Sequence, residues 1–308
     1  MGMTASLRAP VQSSVEKWAW AAVVANTVIV LTGGLVRLTG SGLGCPTWPR
    51  CTDNSFVPHR ELGSHGVIEF GNRMLTYVLV AVVVGTFIAV RRWSGSTREQ
   101  RRLALVIALG VPFQAVIGGI SVLTDLNPWV VSLHLILSML LVATSILLVF
   151  RVRGVASGGL VRAATGRVIS MYVVLWVVVY LGTVVTGSGP HAGDAKAPRN
   201  GLDPHVMSHV HAASVYVLVV LTALLCFELR KFPEGRLALL LLGVELAQGT
   251  IGFVQYFTDL PIALVAAHLV GGAVLIATGT FVLLAVVSSS LAPGTGETSR
   301  PARPTRSR

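Results

Sequence analysis

The chain has 308 residues, of which 53% are hydrophobic and only 12% charged, with a net charge of +11. A soluble domain of this size needs far more charge on its surface, so the composition excludes a water-soluble enzyme and indicates a helical protein that crosses a membrane several times. The positive charge does not mark a nucleic-acid partner, because it is confined to alternate connections between apolar runs.

Eight runs of about 20 apolar residues are long enough to span a bilayer: Trp18–Leu38, Val67–Val90, Leu103–Leu123, Trp129–Phe150, Val168–Val185, Val210–Phe227, Leu237–Phe257 and Ile262–Val287. The first is too long for a signal-peptide core and lacks a clear cleavage site, so it is read as a helix. Arg91, Arg92, Arg98, Arg101 and Arg102 join runs 2 and 3. Arg151, Arg153, Arg162 and Arg167 join runs 4 and 5, and Arg230, Lys231 and Arg236 join runs 6 and 7. The other connections hold only Arg50, Arg60, Lys196 and Arg199. Basic loops face the cytoplasm, so both termini are expected inside. Residues 1–16 read as a cytoplasmic N-terminus and residues 151–167 as a basic cytoplasmic linker. The Ser-, Pro-, Gly- and Arg-rich stretch 288–308 reads as a disordered tail whose arginines lie against anionic lipid.

Run 1 leads into GGLVRLTGSGLGCPTWPRC, residues 33–51. Arg37, in its last turn, reads either as a snorkelling arginine or as the partner of an anion such as a cofactor carboxylate. Cys45 and Cys51 then lie six residues apart in an external loop. Oxidation to a disulfide is expected there, with two free thiols as the alternative. Metal binding is weaker, since only His59 and His65 stand nearby. Run 2 opens with Glu69, Asn72 and Arg73, which share one helical face. Ionisable groups inside a membrane are costly and mark function by default; the plainer reading is an ion pair that fixes helix packing.

The chain repeats itself. Gln114–His134 reads QAVIGGISVLTDLNPWVVSLH, and 134 residues further on Gln248–His268 reads QGTIGFVQYFTDLPIALVAAH. Thr39–Gly42 recurs as Thr186–Gly189, and Thr76–Val80 aligns with Val215–Val219, an offset of 139. The fold expected is therefore an all-α membrane protein of two similar four-helix bundles, spanning 17–150 and 168–287. Under this alignment His134 matches His268, Asn72 matches His211, Glu69 matches Ser208 and Arg73 matches Ala212. His134 and His268 each lie about 9 Å below the outer end of their helices. Cys226, alone in run 6, reads as a small core residue.

Neutral imidazoles ligate haem iron, and two facing helices can clamp a planar macrocycle. His211 and His268 meet that need. The first bundle offers only His134 opposite Asn72, a poor iron ligand, with Glu69 alongside: a one-ligand site with an acid/base group. His59, His65, His191, His205 and His209 read as loop or helix-edge residues.

Together these segments resemble the heme A synthase family, with the stretch at 33–51 the most specific part and the match running through all eight helices. The resemblance implies a membrane oxidoreductase that converts a methyl group of heme O into the formyl group of heme A. It implies heme b in the C-terminal half on His211 and His268, and substrate heme O in the N-terminal half near His134, Asn72, Arg73 and Arg37. It further implies Glu69 as the catalytic carboxylate, Cys45 and Cys51 as the external pair, and haem sites near the extracytoplasmic side of the cell membrane. Heme O synthase and cytochrome oxidase assembly factors are the implied protein partners. Many members carry histidine in a Glu-x-x-His-Arg motif where this chain has Asn72. Two other classes fit parts of the pattern: a b-type cytochrome that transfers electrons without modifying haem, and a transporter built from parallel repeats.

Overall fold

A computed structural model describes residues 11–154 and 162–291. Much of the expected N-terminal segment, of the linker and nearly all of the tail lie outside these residues. Eight helices follow in order: α1 (Gln12–Leu38), α2 (Gly63–Arg92), α3 (Arg98–Leu123), α4 (Pro128–Arg153), α5 (Arg162–Ser188), α6 (Pro204–Leu229), α7 (Gly235–Phe257) and α8 (Ile262–Leu291). All eight contain a stretch long and apolar enough to cross a membrane, and no strand of a sheet occurs among the described residues. The protein is a multi-pass membrane protein.

The helices extend beyond the apolar runs because polar residues close their ends. Thr97 and Gln100 form a reciprocal capping box at the start of α3. Asn127 caps α4 and Asp203 caps α6, each followed by proline at the first helical position. The turns between α3 and α4 and between α7 and α8 share one backbone solution. Asp125 and Leu126 (φ 52° and 59°) and Asp259 and Leu260 (φ 56° and 55°) all adopt the left-handed conformation.

Two four-helix groups result. α1 packs on α2 and α4, and α3 on α2 and α4; α5 packs on α6 and α8, and α7 on α6 and α8. The groups meet along α1, α4, α5 and α8. Within each group the backbones of the diagonal pairs α2/α4 and α6/α8 stay apart, with no Cα atoms within 8 Å. We call the end bearing the α1–α2 and α5–α6 connections the loop end, and the opposite one the terminal end.

Packing is concentrated towards the terminal end. One apolar cluster joins Val15, Ala19, Val83, Ile107 and Val149; the other joins Met171, Leu175, Leu225, Leu241 and Ile276. Towards the loop end the interior is less filled. In α6 no residue before Leu218 is buried, and in α7 none after Glu245. Salt bridges Arg153–Glu16, Arg151–Glu99 and Arg167–Glu228 tie helices together at the terminal end.

The two groups are pinned at the loop end by buried polar contacts. The Arg37 Nε donates to the His191 carbonyl at 2.6 Å and a terminal nitrogen donates to the Thr186 carbonyl at 2.9 Å. Gly42 N–H donates to the Gly193 carbonyl at 2.8 Å. A hydrogen bond between the Ser132 and Thr183 hydroxyls links α4 to α5.

Candidate functional site

The helix-borne histidines of α6 and α8 converge across a diagonal. The His211 and His268 rings lie 6.5 Å apart between centroids, with planes at 83°, although no Cα atoms of their helices come within 8 Å of each other. Two imidazole–metal bonds of about 2 Å each put the ligating nitrogens about 4 Å apart, and the ring centres about 6 Å apart. The observed separation fits a single metal ion, and the planar group that carries it, between the two rings. The Nδ1 atoms of both residues are shielded and make no hydrogen bond of good geometry. The Val178 and Gln248 carbonyls lie close to the His211 and His268 rings, the side on which a ligating imidazole is normally oriented by an acceptor.

A glycine backs each ring. Gly182 of α5 lies under His211, where an added Cβ would come 3.3 Å from Cε1, and Gly252 of α7 lies under His268 at 3.5 Å. A larger residue would push either ring towards its partner. The first group repeats the device. Gly118 of α3 lies under His134, 3.2 Å from Cε1 to an added Cβ, and Gly33 of α1 faces the Asn72 amide nitrogen at 3.9 Å. His134 again has a shielded, unpartnered Nδ1. Its backbone carbonyl accepts from Gln114 Nε2 at 3.0 Å, and the same nitrogen donates to Ser138 Oγ at 2.7 Å, which fixes α3 against α4 at this depth. Asn72 Oδ1 accepts from Thr32 Oγ1 at 2.8 Å. The amide is thus held by α1, and its oxygen is already engaged.

Glu69 is buried at 5% exposure. One carboxylate oxygen accepts from the Cys45 backbone N–H at 2.5 Å, the other from Arg73 at 2.6 Å. Arg73 also donates to the carbonyls of Cys45 (3.1 Å), Thr47 (3.0 Å) and Arg50 (3.1 Å). Cys45 and Cys51 are joined as a disulfide, with Cα atoms 4.4 Å apart. The disulfide loop is therefore wrapped round the Glu69–Arg73 pair, which supplies charged partners for backbone groups that would otherwise face hydrocarbon. Trp48, from the same loop, lies flat on α3 at Gly119, next to the glycine beneath His134. One short loop thus covers the helix that carries the carboxylate and the helix that backs the lone histidine.

The structure gives the remaining expected residues other surroundings. Arg37 turns towards the second group and binds backbone carbonyls there, which replaces the expected reach to the headgroups. His65 is exposed at the start of α2, and its Nδ1 pairs with Ser41 Oγ at 2.9 Å. His205 and His209 face Tyr256, away from His268. His191 Nε2 pairs with the Leu260 carbonyl at 3.0 Å. Among the described residues no three His, Cys, Asp or Glu side chains converge as a metal cluster, which leaves the cysteine pair as a disulfide.

The glycines behind the rings, the Thr32 hydroxyl and the loop carbonyls around Arg73 escaped the sequence reading. The glycines had a signal: Ile117-Gly118 and Ile251-Gly252 recur at the repeat offset, each preceding its histidine by sixteen residues. Backbone groups carry no such signal, because every residue has them.

Comparison with known proteins gives the family. The profile of the COX15-CtaA family, described as cytochrome oxidase assembly protein, matches residues 16–280. A protein of Listeria monocytogenes named Heme A synthase is 26% identical over 273 residues, covering 82% of this chain and 88% of its own. One of the same name from Geobacillus kaustophilus is 26% identical over 303 residues, 92% of this chain and 94% of its own. A third, from Lysinibacillus sphaericus, is 34% identical over 134 residues, 43% of each chain. With most of its length, six whole helices and the greater part of α1 and α8 inside the match, the chain belongs to the COX15-CtaA family.

Proposed function

We propose that the protein is a heme A synthase: an integral membrane oxidoreductase that takes heme O as substrate and oxidises one methyl group to the formyl group of heme A. One observation carries this reading: the asymmetry between the two groups of helices. In the second group two imidazoles face each other across a diagonal at 6.5 Å. The first has a single buried imidazole, His134, and on α2 an amide, Asn72, at the counterpart of His211, with the Glu69–Arg73 carboxylate–guanidinium pair on the same helical face. A plain electron carrier has no use for the second arrangement.

We read the chain as one scaffold used twice. The C-terminal half, 168–287, holds heme b on His211 and His268; that group supplies one-electron chemistry when bound. The N-terminal half, 17–150, holds heme O by His134, with Asn72 lining the opposite side. Both termini face the cytoplasm, so the loop end and both haem sites lie towards the extracytoplasmic surface. Arg37 lies between the halves at this end and sets the register of the loops that border both sites. Heme O synthase and cytochrome oxidase assembly factors are the partners this reaction calls for.

The chain's own residues act as follows. His134 orients the substrate, and Gly118 lets the ring sit close to α3. Withdrawing electrons from the methyl carbon builds positive charge at the porphyrin edge and releases protons. Glu69 stabilises that charge or accepts a proton, held in place by the Cys45 N–H and by Arg73. The disulfide loop and Trp48 keep water from this edge. Two hydroxylations, each adding one water with loss of two protons and of two electrons to an acceptor outside the chain, give a geminal diol, and loss of one water leaves the aldehyde.

The experiment is expression with a heme O source, followed by extraction and chromatography of the haems. Heme A is the expected product of the wild-type chain. Glu69→Gln retains bound heme b and stalls at heme O or the alcohol. Full heme A production by this variant would remove Glu69 from the mechanism, and absence of heme A from the wild type would overturn the assignment.

A further inference from the structure

The second group contains a buried acid that the reaction described above does not use. Glu245 of α7 is 2% exposed. Its Oε1 accepts from Thr222 Oγ1 of α6 at 2.7 Å, and its Oε2 is buried without a partner among the described residues. Among the described residues α7 packs only on α6 and α8. α8 has no titratable residue other than His268, and neither α6 nor α8 contains a lysine or arginine. On α6 the titratable neighbour is Cys226; Glu228 is engaged by Arg167 of α5. On α7 itself the one basic residue, Arg236, lies more than two turns away near the helix start. No cation therefore offsets a charge on Glu245.

Packing alone does not call for an acid here. At the repeat offsets the first group places Val111 and Val83 where the second has Glu245 and Thr222, and both valines are buried. The carboxyl and its hydroxyl donor thus occur only in the group with paired imidazoles. Glu245 lies twelve residues from the loop end of α7 and His268 six from that of α8. At about 1.5 Å per residue the acid sits about 9 Å deeper than the histidine. At that distance, in an apolar interior, charges interact far more strongly than in water.

We propose that Glu245 is a redox-linked proton site: its carboxylate binds one proton when the metal centre held by His211 and His268 gains an electron, and releases it when the electron leaves. This rests on the assignment of that centre to the two histidines. The balance is one electron, supplied by oxidation of the substrate methyl group or by the reductant of a titration, reducing ferric to ferrous iron, and one proton from solvent converting carboxylate to carboxylic acid, so the buried region gains no net charge. Thr222 holds the ionised form through its hydroxyl, and the unpartnered Oε2 is where the proton goes.

The test is an optical redox titration of the purified, haem-loaded full-length protein across about pH 5.5 to 8.5. The expected midpoint potential falls as pH rises, by at most about 59 mV per unit, the tenfold equivalent of a one-electron couple. Glu245→Gln flattens that dependence and leaves the absorption spectrum unchanged. Thr222→Val moves the sloping region to higher pH, since the ionised carboxylate loses its donor. Reduced-minus-oxidised infrared spectra show a carboxylic C=O band gained on reduction in wild type and absent from Glu245→Gln. A pH-independent potential in wild type, or an unchanged slope and band in Glu245→Gln, overturns the proposal. An unchanged haem spectrum in both His211→Ala and His268→Ala would instead overturn the ligand assignment.

Discussion

Replacing Arg73 tests whether the disulfide loop and the carboxylate form one unit. Arg73 holds Glu69 at 2.6 Å and three loop carbonyls at 3.0–3.1 Å, with side-chain exposures of 19% and 7% for the ion pair. Arg73→Met keeps the apolar stem and removes all four interactions. Breaking a buried ion pair by deleting one partner costs about 3–5 kcal/mol. That cost falls largely on the order of the loop and on Glu69, because the helices pack elsewhere. A carboxylate displaced by about 1 Å loses about 100-fold in rate, or about 2.7 kcal/mol of barrier. The expected outcome is about 100-fold slower conversion of heme O, scored by timed extraction of haems, with the heme b spectrum unchanged. Arg73→Lys retains the charge without the fork and falls between the two. Conversion by Arg73→Met at the wild-type rate would refute the dependence of Glu69 on this arginine.

The glycines separate the two sites. Gly182→Val crowds His211 and lowers the heme b content of the purified protein, read from its absorption spectrum; Gly118→Val crowds His134, spares that spectrum and blocks conversion. Asn72→His places a second imidazole opposite His134, so heme O bound there changes from a five-coordinate to a six-coordinate low-spin spectrum. No spectral change on adding heme O to that variant would remove Asn72 from the substrate pocket.

The eight spans were legible because hydropathy reports them directly. The eight helices lie where the apolar runs placed them, but α1 begins at Gln12 and α2 at Gly63, ahead of Trp18 and Val67. Polar turns at a helix end do not register as apolar length. The histidine pair was legible because a membrane helix seldom carries a histidine without use. The role of Arg37 was not, because its partners are carbonyls about 150 residues away in the other half. The Cys45 N–H to Glu69 bond was hidden for the same reason: a backbone donor has no identity in the sequence. Glu245 was visible as the one carboxylate inside the α7 run, yet its isolation became clear only from the helices packed around it.

The contact between α1 and α8 bears on how the protein is made. Leu269, next to His268, packs on α1 at Gly34, next to the glycine that faces Asn72. α1 is synthesised before α8 and therefore waits for it before this part of its surface is covered. Biogenesis has to keep α1 in the bilayer, unpaired on that side, until α8 has followed it. The neighbourhood of His268 on α8 and that of Asn72 beside α1 reach their final packing only then.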